Sequence, residues 1–455
     1  MRQYNETEKN RLEQMASDYR SFLDAGKTER ECAANICAIA RAHGFRDLDE
    51  ILEKGESLKA GDKIYAVNMK KAVLLMQIGQ ESLEKGMNLI GSHIDSPRLD
   101  IKQNPVYENS GLAYLDTHYY GGIKKYQWVA SPMALHGTVV RTDGTVLELS
   151  IGEKDEDPVV GITDLLVHLS GKQMDKKGST VIEGEALDLL VGSYAVDDKE
   201  EKEPVKAFLL KVLKEKYGME EKDFVSAELE VVPAGRARDF GLDGSMIMAY
   251  GQDDRICAFT SLMAFLDAEN SQRTNVCLFV DKEEIGSVGA TGMQSRFLEN
   301  TLAEVLNCLG QYSELALRRA LKNSTMLSAD VNAGYDPLYA DAFEKNNAAY
   351  VGKGAVISKY TGSRGKSGSN DASAEFLGSL RRAFDADDIQ YQTAELGKID
   401  VGGGGTIAYI TAAYGMDVVD LGVPILNMHA PYEVSSKADV YETYRCYKTF
   451  FQMGK

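Results

Sequence analysis

The stretch NVCLFVDKEEIGSVGATG, residues 275–292, decides how this chain is read. Val276 to Asp281 is apolar, β-branched or aromatic until the acid arrives, which marks a buried strand and leaves no room for a helical period. The run then breaks into Asp281-Lys282-Glu283-Glu284 and a turn spaced by Gly286 and Gly289. Adjacent carboxylates at the end of a buried strand resist joint ionisation unless positive charge sits beside them. A metal ion would supply that charge. In the loop beyond the strand the two side chains can splay, one toward metal and one toward water. The same acids also suit the first turn of a solvated helix, so the argument depends on whether the pattern recurs.

It does recur. The strand Met87 to Gly91 runs into Ser92-His93-Ile94-Asp95, where His93 and Asp95 share one face and a carboxylate can orient a ligand imidazole. Tyr250-Gly251-Gln252-Asp253-Asp254-Arg255 precedes ICAFTSLMAFL, expected to be an amphipathic helix. Met326 to Asp330 is a short run ending on a carboxylate, and Ile425 to Met428 leads into His429. His93, Asp253, Glu284, Asp330 and His429 thus sit at or just past predicted strand ends, where ligands of open α/β sheets gather. Two imidazoles and three carboxylates suit zinc and tolerate manganese or cobalt. Five ligands exceed what one tetrahedral catalytic ion with an open water position can use. They suit two ions bridged by one carboxylate, with a water between them. Glu283 is then available as general base on that water.

At 455 residues, two domains or one with an insertion are expected. A net charge of −18 argues against nucleic acid and anionic membrane as partners. The first residues lack the apolar core of a signal peptide, and a cytoplasmic protein is expected. Six cysteines without a CxxC pair indicate neither a disulfide framework nor a cysteine zinc site. Residues 1 to about 60 read as helices. From about 105 to 244 short alternating strands suggest a β-rich unit, with a helical stretch near Ala207 to Tyr217. His118, His136 and His168 lie there without acidic partners at ligand spacing, so core or surface roles are expected. Gly365-Lys366-Ser367 ends like a phosphate loop, but that motif's first glycine would fall on Tyr360. No Gly-x-Ser-x-Gly elbow supports a serine hydrolase.

GSHIDSPRLD, QDDR, DKEEIGS, SADV and VPILNMHAPYE, in this order, resemble the aspartyl aminopeptidase and aminopeptidase I family of dinuclear zinc aminopeptidases, its bacterial branch above all. The resemblance covers essentially the whole chain. It implies an α/β fold: a mixed-sheet catalytic domain with helices on both faces (1–105 and 244–455) and an inserted β-rich dimerisation domain (106–243). It further implies two zinc ions per subunit, His93 and Asp330 on one, Glu284 and His429 on the other, and Asp253 bridging. Asp95 would orient His93, Glu283 would be the base, peptides the substrates, and a tetrahedral dodecamer the assembly. Lys359, in VISKY, looks like the family's lysine that meets an acidic substrate side chain, although an exposed strand-end lysine reads the same way. His168, in DLLVHLS, is matched to a histidine that reaches a neighbouring subunit's active site. After Asp330 the eukaryotic members carry histidines where this chain has Val331-Asn332-Ala333. A carboxypeptidase or amidohydrolase of the same layout, or a silent metal-binding assembly protein, stays open as an alternative.

Overall fold

The computed structural model describes residues 3–268 and 272–454. The chain divides into two compact units. The first comprises Met1–Asp95, Ala237–Met428 and Glu433–Lys455, and the second comprises Ser96–Arg236 and His429–Tyr432.

In the first unit the apolar runs form a nine-stranded mixed sheet. Its centre is four mutually parallel strands, Thr274–Val280, Met87–His93, Thr325–Ser328 and Asp417–Gly422. Ala72–Gln77 and Ala355–Ser358 flank them antiparallel, and Tyr391–Thr393 closes one edge. Every residue of Met87–His93 and Thr274–Val280 is buried, as strands covered on both faces must be. Successive side chains feed opposite cores, following the two-residue strand period. Ile90, Cys277, Phe279 and Leu327 pack with residues of the helices Glu6–Ala25, Glu29–Ala42, Ala374–Ala386 and Lys437–Gln452. Leu89, Val276, Leu278 and Met326 pack with residues of Phe297–Cys308 and Glu314–Lys322. The fold class is therefore mixed α/β with helices on both faces of the sheet.

One helix departs from expectation. Gln252–Leu266 is buried on nearly every side and is not amphipathic. It packs against Met87–His93 and Thr274–Val280 of the sheet and against the helix Lys437–Gln452, and a helix buried on all sides needs that cover. Its Thr260 and Ser261 hydroxyls donate to the carbonyls of Ile256 and Ala258 one turn back, which satisfies them without water. A second, five-stranded sheet of this unit runs Arg238–Phe240, Met246–Ala249, Glu433–Ser436, Pro424–Leu426, Asn332–Ala333.

The second unit is built on a six-stranded antiparallel sheet, Val146–Ile151, Met133–Val140, Ala227–Pro233, Arg98–Asn109, Leu112–Tyr120, Leu189–Gly192. It carries the helix Pro204–Tyr217. The unit begins at Ser96, ahead of the expected 106, because Arg98–Asn109 is one strand that pairs with Leu112–Tyr120. Gly137 (φ 137°) allows a close approach in this sheet: a Cβ there would lie 1.9 Å from the Glu228 carbonyl oxygen. No helix among the described residues is long and apolar enough to cross a membrane.

Candidate metal centre

His93 is the last residue of its strand, and Asp330 follows Ser328 by two residues. Glu283 and Glu284 open a short turn, Glu283–Ile285, entered through Lys282 at φ 67° and left through Gly286 at φ 95°. Asp253 stands at the start of Gln252–Leu266 with non-helical angles (φ −79°, ψ 109°), just after Gly251. Two sheets thus contribute. His93 ends, and Glu284 and Asp330 follow, strands of the nine-stranded sheet, whereas Asp253 follows Met246–Ala249 of the five-stranded one.

The imidazole of His93 is the hub. Its Nε2 lies 3.2 Å from Asp253 Oδ1 and 3.9 Å from Asp330 Oδ1. Its Nδ1 lies 3.0 Å from the Asp95 carbonyl oxygen and 3.3 Å from Asp95 Oδ1. Donating from Nδ1 leaves Nε2 as the nitrogen that could bind a metal, the arrangement that second partners impose on ligand histidines. The ligand atoms of His93, Asp253 and Asp330 all lie within 4.8 Å of one another, close enough to share one divalent cation.

Asp95 is fully buried and accepts two further bonds. Its Oδ1 takes the Glu283 N–H (3.2 Å) and its Oδ2 the Glu284 N–H (3.3 Å). One carboxylate therefore ties the His93 imidazole to the turn that carries both glutamates. The electrostatics favour a cation. Burial, then the charge of neighbouring Asp254, holds Asp330 well above the usual carboxylate range. Burial likewise raises Asp254, with Asp253 adding to it. Burial works against charge on His93, but its bonds to Asp253 and Asp95 push the imidazole well above its ordinary value. Carboxylates crowded until they would rather hold protons are those a metal ion can discharge. The donor set fits zinc.

His429 belongs to the second unit, at φ 65°, and its Nδ1 meets the Gly122 carbonyl oxygen at 2.7 Å. That contact puts the proton on Nδ1 and the lone pair on Nε2. Lys359 follows the strand Ala355–Ser358, half exposed, with Nζ 3.9 Å from Asp371 Oδ1. It lines a cavity of about 1240 Å³ with Tyr360, Arg381 and Glu395, and none of the residues around His93 lines that cavity. His168 sits in the exposed turn Val167–Leu169 of the second unit. His136 meets Glu153 at 3.1 Å, a partner that hairpin pairing supplies and linear spacing hides. Reading the sequence missed Glu433, which is buried and accepts the Asp253 N–H on Oε2 at 3.0 Å. The acid four residues after His429 was its signal.

The model of the family described as aminopeptidase I zinc metalloprotease (M18) matches residues 22–451. The chain is 57% identical over 432 residues to a probable M18 family aminopeptidase 1 of Clostridium acetobutylicum, covering 95% of this chain and 93% of that one. Its fold is similar to the crystal structure of an M18 family aminopeptidase from Thermotoga maritima, with a TM-score of 0.95, 44% identity and 99% of both chains covered. The S. cerevisiae mApe1 dodecamer shares the fold at 20% identity, with a TM-score of 0.77 and 96% of each chain covered.

Proposed function

The chain belongs to the aminopeptidase I zinc metalloprotease (M18) family and is a zinc-dependent aminopeptidase, and on that premise we propose that it removes the N-terminal residue of peptides at a two-zinc centre with Glu283 as general base. His93 and Asp330 would hold one ion and Glu284 and His429 the other, with Asp253 available to both. Manganese or cobalt suits the same donors. When bound, zinc would supply Lewis acidity toward the scissile carbonyl and the attacking water. Glu283 takes the proton of the attacking water and passes it to the leaving amine. Asp95 keeps His93 in one tautomer and orientation. Lys359 receives an acidic side chain of the substrate.

One observation carries this reading. A single buried carboxylate, Asp95, touches the His93 imidazole and accepts the amides of both Glu283 and Glu284. A purely structural metal site has no need for an unligated glutamate fixed in that way.

Self-association through the inserted domain (106–243), on the scale of a dodecamer, belongs to the same proposal. Leu165, Leu166, Val167 and Leu169 are 46%, 54%, 77% and 67% exposed, a continuous apolar run that monomers rarely leave in water. His168 stands inside it and would serve a neighbour's site. A cytoplasmic location fits six free thiols.

The test is initial rates of zinc-reconstituted protein on aminoacyl substrates with acidic, neutral and basic side chains, each beside its N-acetylated form. Turnover lost on acetylation, and fastest on acidic residues, is the expected result. Equal rates with and without the acetyl group would favour the carboxypeptidase or amidohydrolase layout, and no turnover at all would favour a silent metal-binding protein.

A further inference from the structure

We infer that Asp281 and Thr291 form a latch that positions Glu283 for proton transfer, an inference that rests on Glu283 being the general base. The loop carrying both glutamates leaves the sheet at Val280 and folds back against Asp281 at Thr291 before the helix Phe297–Cys308 begins. Two bonds close its base. The Asp281 N–H donates to the Thr291 carbonyl oxygen at 3.3 Å, and Thr291 Oγ1 donates to Asp281 Oδ2 at 2.5 Å. Lys282 Nζ lies 3.3 Å from the same Oδ2. Both Asp281 and Thr291 are buried, at 0% and 4% exposure.

A buried carboxylate is costly unless it is paired and hydrogen-bonded. Both partners of Asp281, Thr291 and Lys282, meet its Oδ2 and belong to the loop, so they tie this side chain to the loop's geometry. Within the loop, Ser287 N–H donates to the Lys282 carbonyl oxygen (2.7 Å) and Gly286 N–H to that of Glu283 (2.9 Å). Gly292 lets the returning chain pass close, since a Cβ there would lie 2.4 Å from the Ser287 carbonyl oxygen. From the other side Asp95 accepts the two glutamate amides. The loop is therefore fixed at its base by Asp281 and Thr291 and along its glutamates by Asp95. Opening the base would shift the Glu283 carboxylate by a fraction of an ångström, and proton transfer is sensitive to such a displacement. Asp281 and Thr291 are positioning residues that act through Glu283.

A double-mutant cycle on the zinc-loaded enzyme tests this. Thr291→Val should lower kcat about tenfold, the scale of one lost hydrogen bond to a charged group, with KM within about twofold. Zinc content by elemental analysis should stay unchanged, and Thr291→Ser, which keeps the hydroxyl, should recover to within about twofold of the parent. In a Glu283→Gln background, Thr291→Val should cost less than about a further twofold. A tenfold cost in both backgrounds, a Thr291→Ser variant no better than Thr291→Val, or full activity of Thr291→Val would overturn the latch. Near-normal turnover of Glu283→Gln by itself would instead remove the general-base reading, and the latch with it. If Thr291→Val does not accumulate as folded protein, Asp281→Asn runs through the same cycle with the same two outcomes.

Discussion

The turn bearing Glu283 and Glu284 in the first unit is held from within. Asp95 accepts both of its amides, and Asp281 with Thr291 closes its base. The run at residues 165–169 in the second unit is secured only locally, with Leu169 N–H bonded to the Leu166 carbonyl oxygen and Leu165 N–H to Asp164. Its apolar side chains stand in water. The two regions answer opposite needs. Charge that must be desolvated to do chemistry has to find its partners inside the chain, or it would not stay charged and fixed. Apolar surface can wait for a partner from outside, because exposing it costs little structural order. Buried, cross-linked acids therefore point to the reaction, and the exposed apolar run points to assembly.

The comparison breaks most visibly at Glu283. Glu283→Gln should retain its zinc and lose at least about 100-fold in kcat, the scale of general acid–base catalysis. Stopped assays beside elemental analysis decide this, and near-normal turnover would take Glu283 out of the role. Next in size is Asp95→Asn, which should weaken zinc binding about 10- to 100-fold in a chelator competition, as outer partners of ligand histidines do. Unchanged affinity would mean that His93 needs no orienting group.

A pH experiment sharpens the contrast further, since buried acids titrate and an apolar run does not. Burial pushes the Asp439 carboxyl up to about 7, with Glu442 adding to it, despite N–H bonds from Gly352 (2.6 Å) and Gly354 (2.7 Å). The folded state then holds this proton more tightly than the unfolded chain, whose carboxyl titrates near about pH 4. Its contribution to stability is fully present below that pH and is lost as pH rises through about 7. Asp439→Asn should flatten the decline of the thermal midpoint over this window, and an unaltered slope would contradict the assignment. The smallest effect on stability is expected at the apolar run. Val167→Ser with Leu169→Ser should move folding stability by no more than about 0.5 kcal/mol per site, as surface changes do. The same pair should lower the assembled mass in analytical ultracentrifugation, and an intact assembly would remove the run from the interface.

Much of this was legible from the sequence because charge ending an apolar run is a strong signal. His93 ends, and Glu283, Glu284 and Asp330 follow, strands of the central sheet that read as such. The fold class is what the family resemblance of the motifs at these strand ends implies. Other features were hidden for physical reasons. The strands before Asp253 and His429, Met246–Ala249 and Pro424–Leu426, are too short to show which sheet they join. Gln252–Leu266 has an amphipathic look in the sequence, but its Thr260 and Ser261 hydroxyls bond to its own backbone and can be buried. Glu433 acts by accepting a backbone N–H, a role that residue type does not announce. Asp281 was read as the end of a strand, and its bond to Thr291 ten residues on depends on a loop whose path only the fold defines.

The central claim, two ions sharing Asp253, is tested most directly by counting zinc. Elemental analysis of reconstituted parent and Asp253→Asn should give about two zinc ions per chain in the parent and fewer than about one in the variant, because both ions lose a ligand. One zinc per chain in the parent, or two retained after the substitution, would contradict it.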